Sequence, residues 1–425
     1  MEHIPPVVRV LLAESFEGIH TGPAIRRRLK PLMRDLKAQA AWSLDNHNYF
    51  DPHAGGGPSR FILRPSGALD PFSPLEVCAG VRCRFNTAEQ FARSVGLLAD
   101  TVVLPDVFTP YFIDTDSLDD LTARRLMRDI VVLERLKPLI EAGVIRFNDL
   151  RLDTDDTTTD KALDDITVAV LREIEPELAF TRHGSSITIS TGRLFHRPLS
   201  WTFSLTSAMR ELNTRDVAID AFQVPLRDEI LNIVNDLREA GRVKAILASG
   251  SRLGVLAVRL MEERLPALDS VESWEALRSV DLPWVENLSP LDVLALREEA
   301  ADALPRLRAL VGQKIARVGE DTDEKVVELV NELRSEAAEV EAELRSLRFT
   351  KQRGFRTLTG TLGLTIAVYG ISAGFITPAV GLGTLLSLLG LIHGSERQDE
   401  RDRENLIARP GYLLLKAREL LEHRH

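Results

Sequence analysis

The sequence predicts an α/β N-terminal body with a parallel or mixed sheet, followed by a mainly α C-terminal region made of a helical stalk and a Gly-rich apolar helical hairpin. Three observations carry that expectation. Between 77 and 147, short apolar runs alternate with amphipathic ones as strand, helix, strand, helix, strand, the order that favours a parallel sheet with crossover helices. Between 326 and 347, apolar residues recur four and three apart over about three heptads. Between 357 and 395 there is no Asp, Glu, Lys or Arg.

The elements are expected as follows. Residues 7–13 read as a short buried strand, and Gly22–Pro23 opens a basic helix reaching about Trp42. A loop rich in Asn, His, Gly and Pro, 45–59, leads to a strand at 61–64. Residues 77–85 form a strand candidate, and Asn86 with Glu89 makes a capping box for a helix at 87–98. A β-branched strand at 101–104 is closed by Pro105. Ser117 and Asp120 start a long helix that Gly143 stops, and 144–147 is the next strand. Residues 187–190 and 199–205 form a β-hairpin. A helix at 226–240, a strand at 243–248 and a further apolar helix repeat the strand–loop–helix theme. Ser289 and Pro290 are an N-cap and a first-turn proline. The seam Val326, Val330, Leu333, Ala337, Val340, Leu344, Leu347 then packs either on the antiparallel neighbour 290–318 or on a second chain. The domain expectation is a body over 1–288, as one unit or as two subdomains split near 150–160, a stalk over 289–356, the hairpin over 357–395 and a charged tail over 396–425.

Composition sets bounds on function. Apolar residues make up 44% and charged residues 27%, which excludes wholesale disorder. With 53 basic against 63 acidic residues the chain carries −10, so non-specific nucleic-acid binding is not expected. Cys78 and Cys83 sit at odd spacing within a predicted strand and would face opposite ways, so no bridge is expected and a reducing, cytoplasmic setting fits. The first six residues lack the basic and apolar regions of a secretory signal.

The segment 357–395 departs from ordinary globular sequence. Pro378 divides it into two arms of about 16 residues. Gly363, Ala367, Gly370 and Gly374 place small residues on one face of the first arm, and Ala379, Gly383, Ser387, Gly390 and Gly394 do so on the second. Such stripes allow close helix approach in lipid, whereas in water each helical glycine costs about 1 kcal/mol relative to alanine. An arm of that length reaches about 24 Å, short of a hydrocarbon core of about 30 Å. Arg345, Arg348, Lys351, Arg353 and Arg356 lie just upstream with no acid between them, a cluster suited to anionic headgroups on the inner face of a membrane.

Chemistry is sparse. His47, Asp51 and His53 share a loop with Pro52 and imply no further ligand, so no metal is expected. The Gly55–Gly57 run lacks a following Gly-Lys-Ser/Thr. Asp153, Asp155 and Asp164 have Thr158 where a calcium loop needs glycine. The turn 248–254 could cradle an anion but lacks dinucleotide-binding spacing. Asp106, just past the strand at 101–104, is the catalytic candidate, with capping of local amides as the alternative. No cofactor is implied.

These features favour a membrane-associated, non-enzymatic sensor, effector or scaffold, homo-oligomeric, whose α/β body meets a protein partner or signal and controls the hairpin. A bacterial defence or toxin-like effector has that architecture. A soluble or peripheral enzyme with a site at the carboxyl edge of the sheet is the first alternative, and a soluble oligomeric scaffold with the hairpin buried in its core is the second.

Overall fold

The computed structural model describes residues 4–45, 61–73, 80–113, 115–148, 157–192, 194, 199–206, 214–243, 245–249, 251–262, 272–273, 285–315, 322–352 and 403–422. The N-terminal helices are α1 (Pro6–Ala13), α2 (Gly22–Leu29) and α3 (Met33–Asp45). Then come β1 (Ile62–Ser66), α4 (Val81–Arg93), the single turn α5 (Val95–Leu98), β2 (Thr101–Pro105), α6 (Asp120–Glu141) and β3 (Ile145–Asn148). A second region follows: α7 (Thr157–Ile174), the antiparallel strands β4 (Ala179–His183), β5 (Ser186–Ser190) and β6 (Ser200–Ser204), and the long α8 (Thr214–Arg242). The chain then returns through β7 (Ile246–Ser249), α9 (Arg252–Glu262) and the two-residue β8 (Glu272–Ser273). It ends in helices α10 (Pro290–Glu299), α11 (Leu304–Ile315), α12 (Thr322–Gln352) and α13 (Pro410–Glu422).

The expected α/β body is present. Its sheet runs β3-β2-β1-β7, all parallel, with β8 at the far edge. The crossovers β1–α4–β2 and β2–α6–β3 move to one side of β1. The chain later returns to the other side, so a topological switch falls between β1 and β7.

Three expectations are corrected. Residues 7–13 are helical: Pro6 sits in the first turn, and Val7, Val8, Leu11 and Leu12 are buried in a helical pattern. A short apolar run does not distinguish strand from buried helix by periodicity. Helix replaces the predicted strand from Val81 to Phe85, with Arg84, Ala88, Phe91 and Ala92 as its inner face, so Asn86 lies inside α4 and caps nothing. Cys83 is accordingly an exposed helical residue, and the strand-face argument for the cysteines does not apply. The helix expected at 226–240 extends back to Thr214 through Pro225.

Other signals hold. Helix α6 starts at Asp120 as expected, but Asp119 and not Ser117 caps it, accepting from the Thr122 amide at 2.8 Å, and Gly143, at φ +74°, turns the chain out of it. Ser289 and Asp292 form a reciprocal capping box at the start of α10. The β-hairpin at β5–β6 is in place, joined by β4 on its other side.

There are two main cores. The first takes in α1 to α6, one face of the parallel sheet (Leu63, Val102, Leu104, Ile145, Phe147), and Val293, Leu296, Leu307, Leu329, Leu333, Ala337, Leu413 and Leu414 from the C-terminal helices. The second lies between α7, α8, α9 and the antiparallel sheet, around Phe222, Ile187, Ile189 and Ile230. From the predicted seam, Leu333, Ala337 and Val340 are buried, and α12 packs chiefly on α13 and next on α11. Gly411 permits the α12–α13 approach: a Cβ there would stand 2.5 Å from the Ala337 backbone nitrogen.

Candidate functional site

The parallel sheet has two unlike faces. One is apolar and belongs to the first core. The other meets α8 through a polar layer, because Arg64, Ser66 and Asn148 all project to that side. Arg64 is fully buried and its guanidinium donates to an Asp236 oxygen at 2.9 Å and to the Val103 carbonyl at 3.3 Å. The Ser66 hydroxyl donates to the other Asp236 oxygen at 2.7 Å. Asn148 bridges Glu239 and Arg242 of the same helix. Charge buried this deeply is tolerated only when paired, so the layer holds α8 in one register over the sheet.

Beyond the carboxyl ends of β1 and β2 lies a second polar group. Phe72, Phe108 and Phe147 stack edge-to-face, with centroid separations of 5.4 and 6.5 Å, and close the sheet from above. Near them Tyr111, in the 3-10 turn after β2, donates its hydroxyl to Asp129 of α6 at 2.7 Å. Arg84 of α4 reaches the carbonyls of Pro71 and Ser73 at 2.9 and 3.0 Å, while its Nε has no hydrogen-bond partner among the described residues. Burial pushes the Asp129 carboxyl up to about 6, against the opposing pull of Tyr111 and Arg84. Burial, then the neighbouring Asp129, raises the Tyr111 phenol, and burial lowers the Arg84 guanidinium. A carboxyl held near neutrality beside a phenol has the chemistry of a proton acceptor, and its place at the carboxyl edge is where parallel sheets put ligands.

Asp106 is buried in the same loop and serves that loop. Its Oδ1 accepts from the amides of Phe108 and Thr109 at 3.0 and 3.1 Å, and its Oδ2 from the Thr109 hydroxyl at 2.6 Å. Capping of local amides is therefore its visible role. The turn after β7 is likewise used internally: the Ser251 hydroxyl accepts from the Gly254 amide and the Leu194 carbonyl from the Leu253 amide.

At the opposite, amino edge of the sheet, α10 and α11 bound an open cleft of about 710 Å³. Arg297 fills its wall by donating to the carbonyls of Gly96, Leu97 and Ala99 at the end of α5, and Arg308 pairs with Asp100 at 2.7 Å. Burial, reinforced by Arg308, lowers the Arg297 guanidinium to about 10. Both arginines are spent on capping and bracing.

The residues expected to engage a membrane fall mostly outside the described residues. The small-residue stripes from Gly363 to Gly374 and from Ala379 to Gly394 do so entirely, as do Arg353, Arg356 and the His47, Asp51 and His53 loop. Arg345 is exposed on α12 and pairs with Glu341 one turn earlier, while Arg348 and Lys351 lie on the last turns of the same helix. No helix among the described residues is long and apolar enough to cross a membrane, and no metal-binding group of His, Cys, Asp or Glu occurs among them.

Sequence reasoning missed Arg64, Asp236, Arg84, Tyr111 and Asp129. Asp129 carried a visible signal, since it shares the helical apolar stripe with Leu126, Leu133 and Leu136. Comparison with known protein families, with curated proteins and with solved structures yields no match.

Proposed function

We propose that this chain is a membrane-associated, non-enzymatic effector or sensor, in which the cytoplasmic α/β body controls a membrane-engaging segment at 357–395. The carrying observation joins sequence to fold: a stretch of that length without Asp, Glu, Lys or Arg lies between two helices that pack on each other. Arg409, just before α13, contacts Glu336, Glu339 and Glu343 of α12 at 3.3, 2.9 and 3.2 Å. Arg418 of α13 pairs with Glu341 at 3.0 Å. Helices α12 and α13 also share the first core with the α/β body.

That clasp supports an out-and-back path. A segment whose two flanks are fixed to one body must leave and return on the same side of any bilayer, which disfavours a single span. Two arms of about 16 residues then suit shallow or re-entrant insertion better than full crossing. The basic residues Arg345 to Arg356 would meet anionic headgroups on the cytoplasmic face. Homo-oligomerisation and a protein partner for the body belong to the same proposal. Fractionation of cells producing the full chain tests it: the protein should pellet with membranes and resist high salt and carbonate. Recovery wholly in the supernatant under every wash would overturn stable attachment.

A second reading, a soluble or peripheral enzyme, has one observation in its favour. Asp129 carries a raised pKa at the carboxyl edge, beside Tyr111. Loss of a body-dependent activity in Asp129→Asn, with the fold unchanged, would support it over the first.

A further inference from the structure

The three-stranded antiparallel sheet has the order β4-β5-β6, so β6 is an edge, and among the described residues no strand pairs with its outer side. The pairing phase fixes which groups face outward. The Thr191 amide donates to the Leu199 carbonyl at 3.0 Å and the Leu205 amide to the Ser185 carbonyl at 2.7 Å. Odd-numbered residues of β6 therefore exchange hydrogen bonds with β5. Ser200, Thr202 and Ser204 occupy the alternate pairs and turn their amides and carbonyls away from β5.

The sequence along this edge is Ser-Trp-Thr-Phe-Ser, which reads the same chemically in both directions about Thr202. We propose that two copies of the chain pair antiparallel through β6, on a two-fold axis at Thr202, to make one continuous six-stranded sheet. Ser200 then lies opposite Ser204 of the second copy, Trp201 opposite its Phe203, and Thr202 opposite its own counterpart. Three hydrogen-bonded pairs use all six outward backbone groups of each edge. On the solvent face, the hydroxyl contacts Thr188–Thr202 and Ser190–Ser200, both 3.0 Å, continue across the axis as unbroken Thr and Ser rows. On the inner face, Trp201 and Phe203 are half-buried and form cross-strand aromatic pairs.

Among the described residues the edge also lacks the usual protection. No charge or proline occurs from Ser200 to Ser204, whereas β4, the other edge, carries exposed Arg182 and His183. A two-fold contact of this kind is isologous and closes at two copies. This inference deepens the homo-oligomer part of the proposed function and does not rest on its membrane part, because it concerns only the body.

Cysteine pairing in the full chain, in detergent and with Cys78 and Cys83 replaced by serine, reads the register directly. Thr202→Cys should cross-link to itself on mild oxidation, since hydrogen-bonded partners stand about 5.5 Å apart, within disulfide reach. Ser200→Cys alone should not, because its copies would be about 14 Å apart at about 3.4 Å per residue. Ser200→Cys mixed with Ser204→Cys should. Thr202→Lys, an exposed substitution that leaves the inner face untouched, sets two ammonium groups face to face and should weaken the dimer at least tenfold in sedimentation velocity, while Thr202→Val keeps it. A monomer at tens of micromolar for the unmodified chain, self-linking of Ser200→Cys as strong as the mixed pair, or a Thr202→Lys dimer of undiminished affinity would each overturn the proposal.

Discussion

Replacing Asp236 by alanine tests how the body is held together. The Arg64 side chain is 1% exposed and that of Asp236 is 9% exposed, so neither charge has water to fall back on. Without the carboxylate, Arg64 keeps one long bond to the Val103 carbonyl, and the Ser66 hydroxyl loses its acceptor. Breaking a buried pair by removing one partner costs about 3–5 kcal/mol, much of it the stranded charge. The double variant Arg64→Met, Asp236→Leu removes both charges and refills the volume, so its loss should be under about 2 kcal/mol. Urea unfolding at pH 7, followed by far-ultraviolet circular dichroism with the slope checked for constancy, measures both. An Asp236→Ala loss below about 1 kcal/mol, or a double variant no more stable than that single one, would refute the view that an ionic layer seats α8 on the sheet.

Three further outcomes follow from the same structure. Asp129 titrates near 6 when folded against an ordinary 3.8, so the native state holds its proton more tightly. Its contribution to stability should fall by about 2 kcal/mol between pH 4 and 6, at up to about 1.36 kcal/mol per pH unit, and Asp129→Asn, which still accepts from Tyr111, should flatten that slope in pH-dependent urea unfolding. Gly411→Ala pushes a methyl into the α12 backbone. It should cost at least about 1–3 kcal/mol and expose the C-terminal helix to limited proteolysis. Arg297→Ala leaves the last carbonyls of α5 without their cap, and should lower the urea midpoint by the equivalent of about 2 kcal/mol.

Much of the body was legible from sequence because its signals are local. The β-branched run at Thr101–Leu104, which the strand extends by Pro105, the Gly143 stop and the Ser289–Pro290 start each act within a few residues, and each stands close to where it is expected. The helix Pro6–Ala13 was not legible, since eight residues buried over most of their surface lose the contrast that marks a helix period. Strand residues before Arg64 pointed to β1, but nothing local announced that its arginine would meet Asp236, 172 positions later. The Asp129 cluster likewise needed the fold to bring α4, α6 and the loop after β2 together. Asp106 was visible as a carboxylate past a strand end, yet only the hydrogen bonds distinguish a cap from a reacting group.

The most direct test of the membrane proposal is flotation of the purified full chain with anionic liposomes, beside a variant in which residues 357–395 are replaced by a short Gly-Ser linker. The full chain should rise with the vesicles and stay there in high salt. The linker variant should remain at the bottom while keeping the same urea midpoint, because α12 and α13 still clasp. A full chain that stays below the vesicles, or a linker variant that floats as well, would contradict the account.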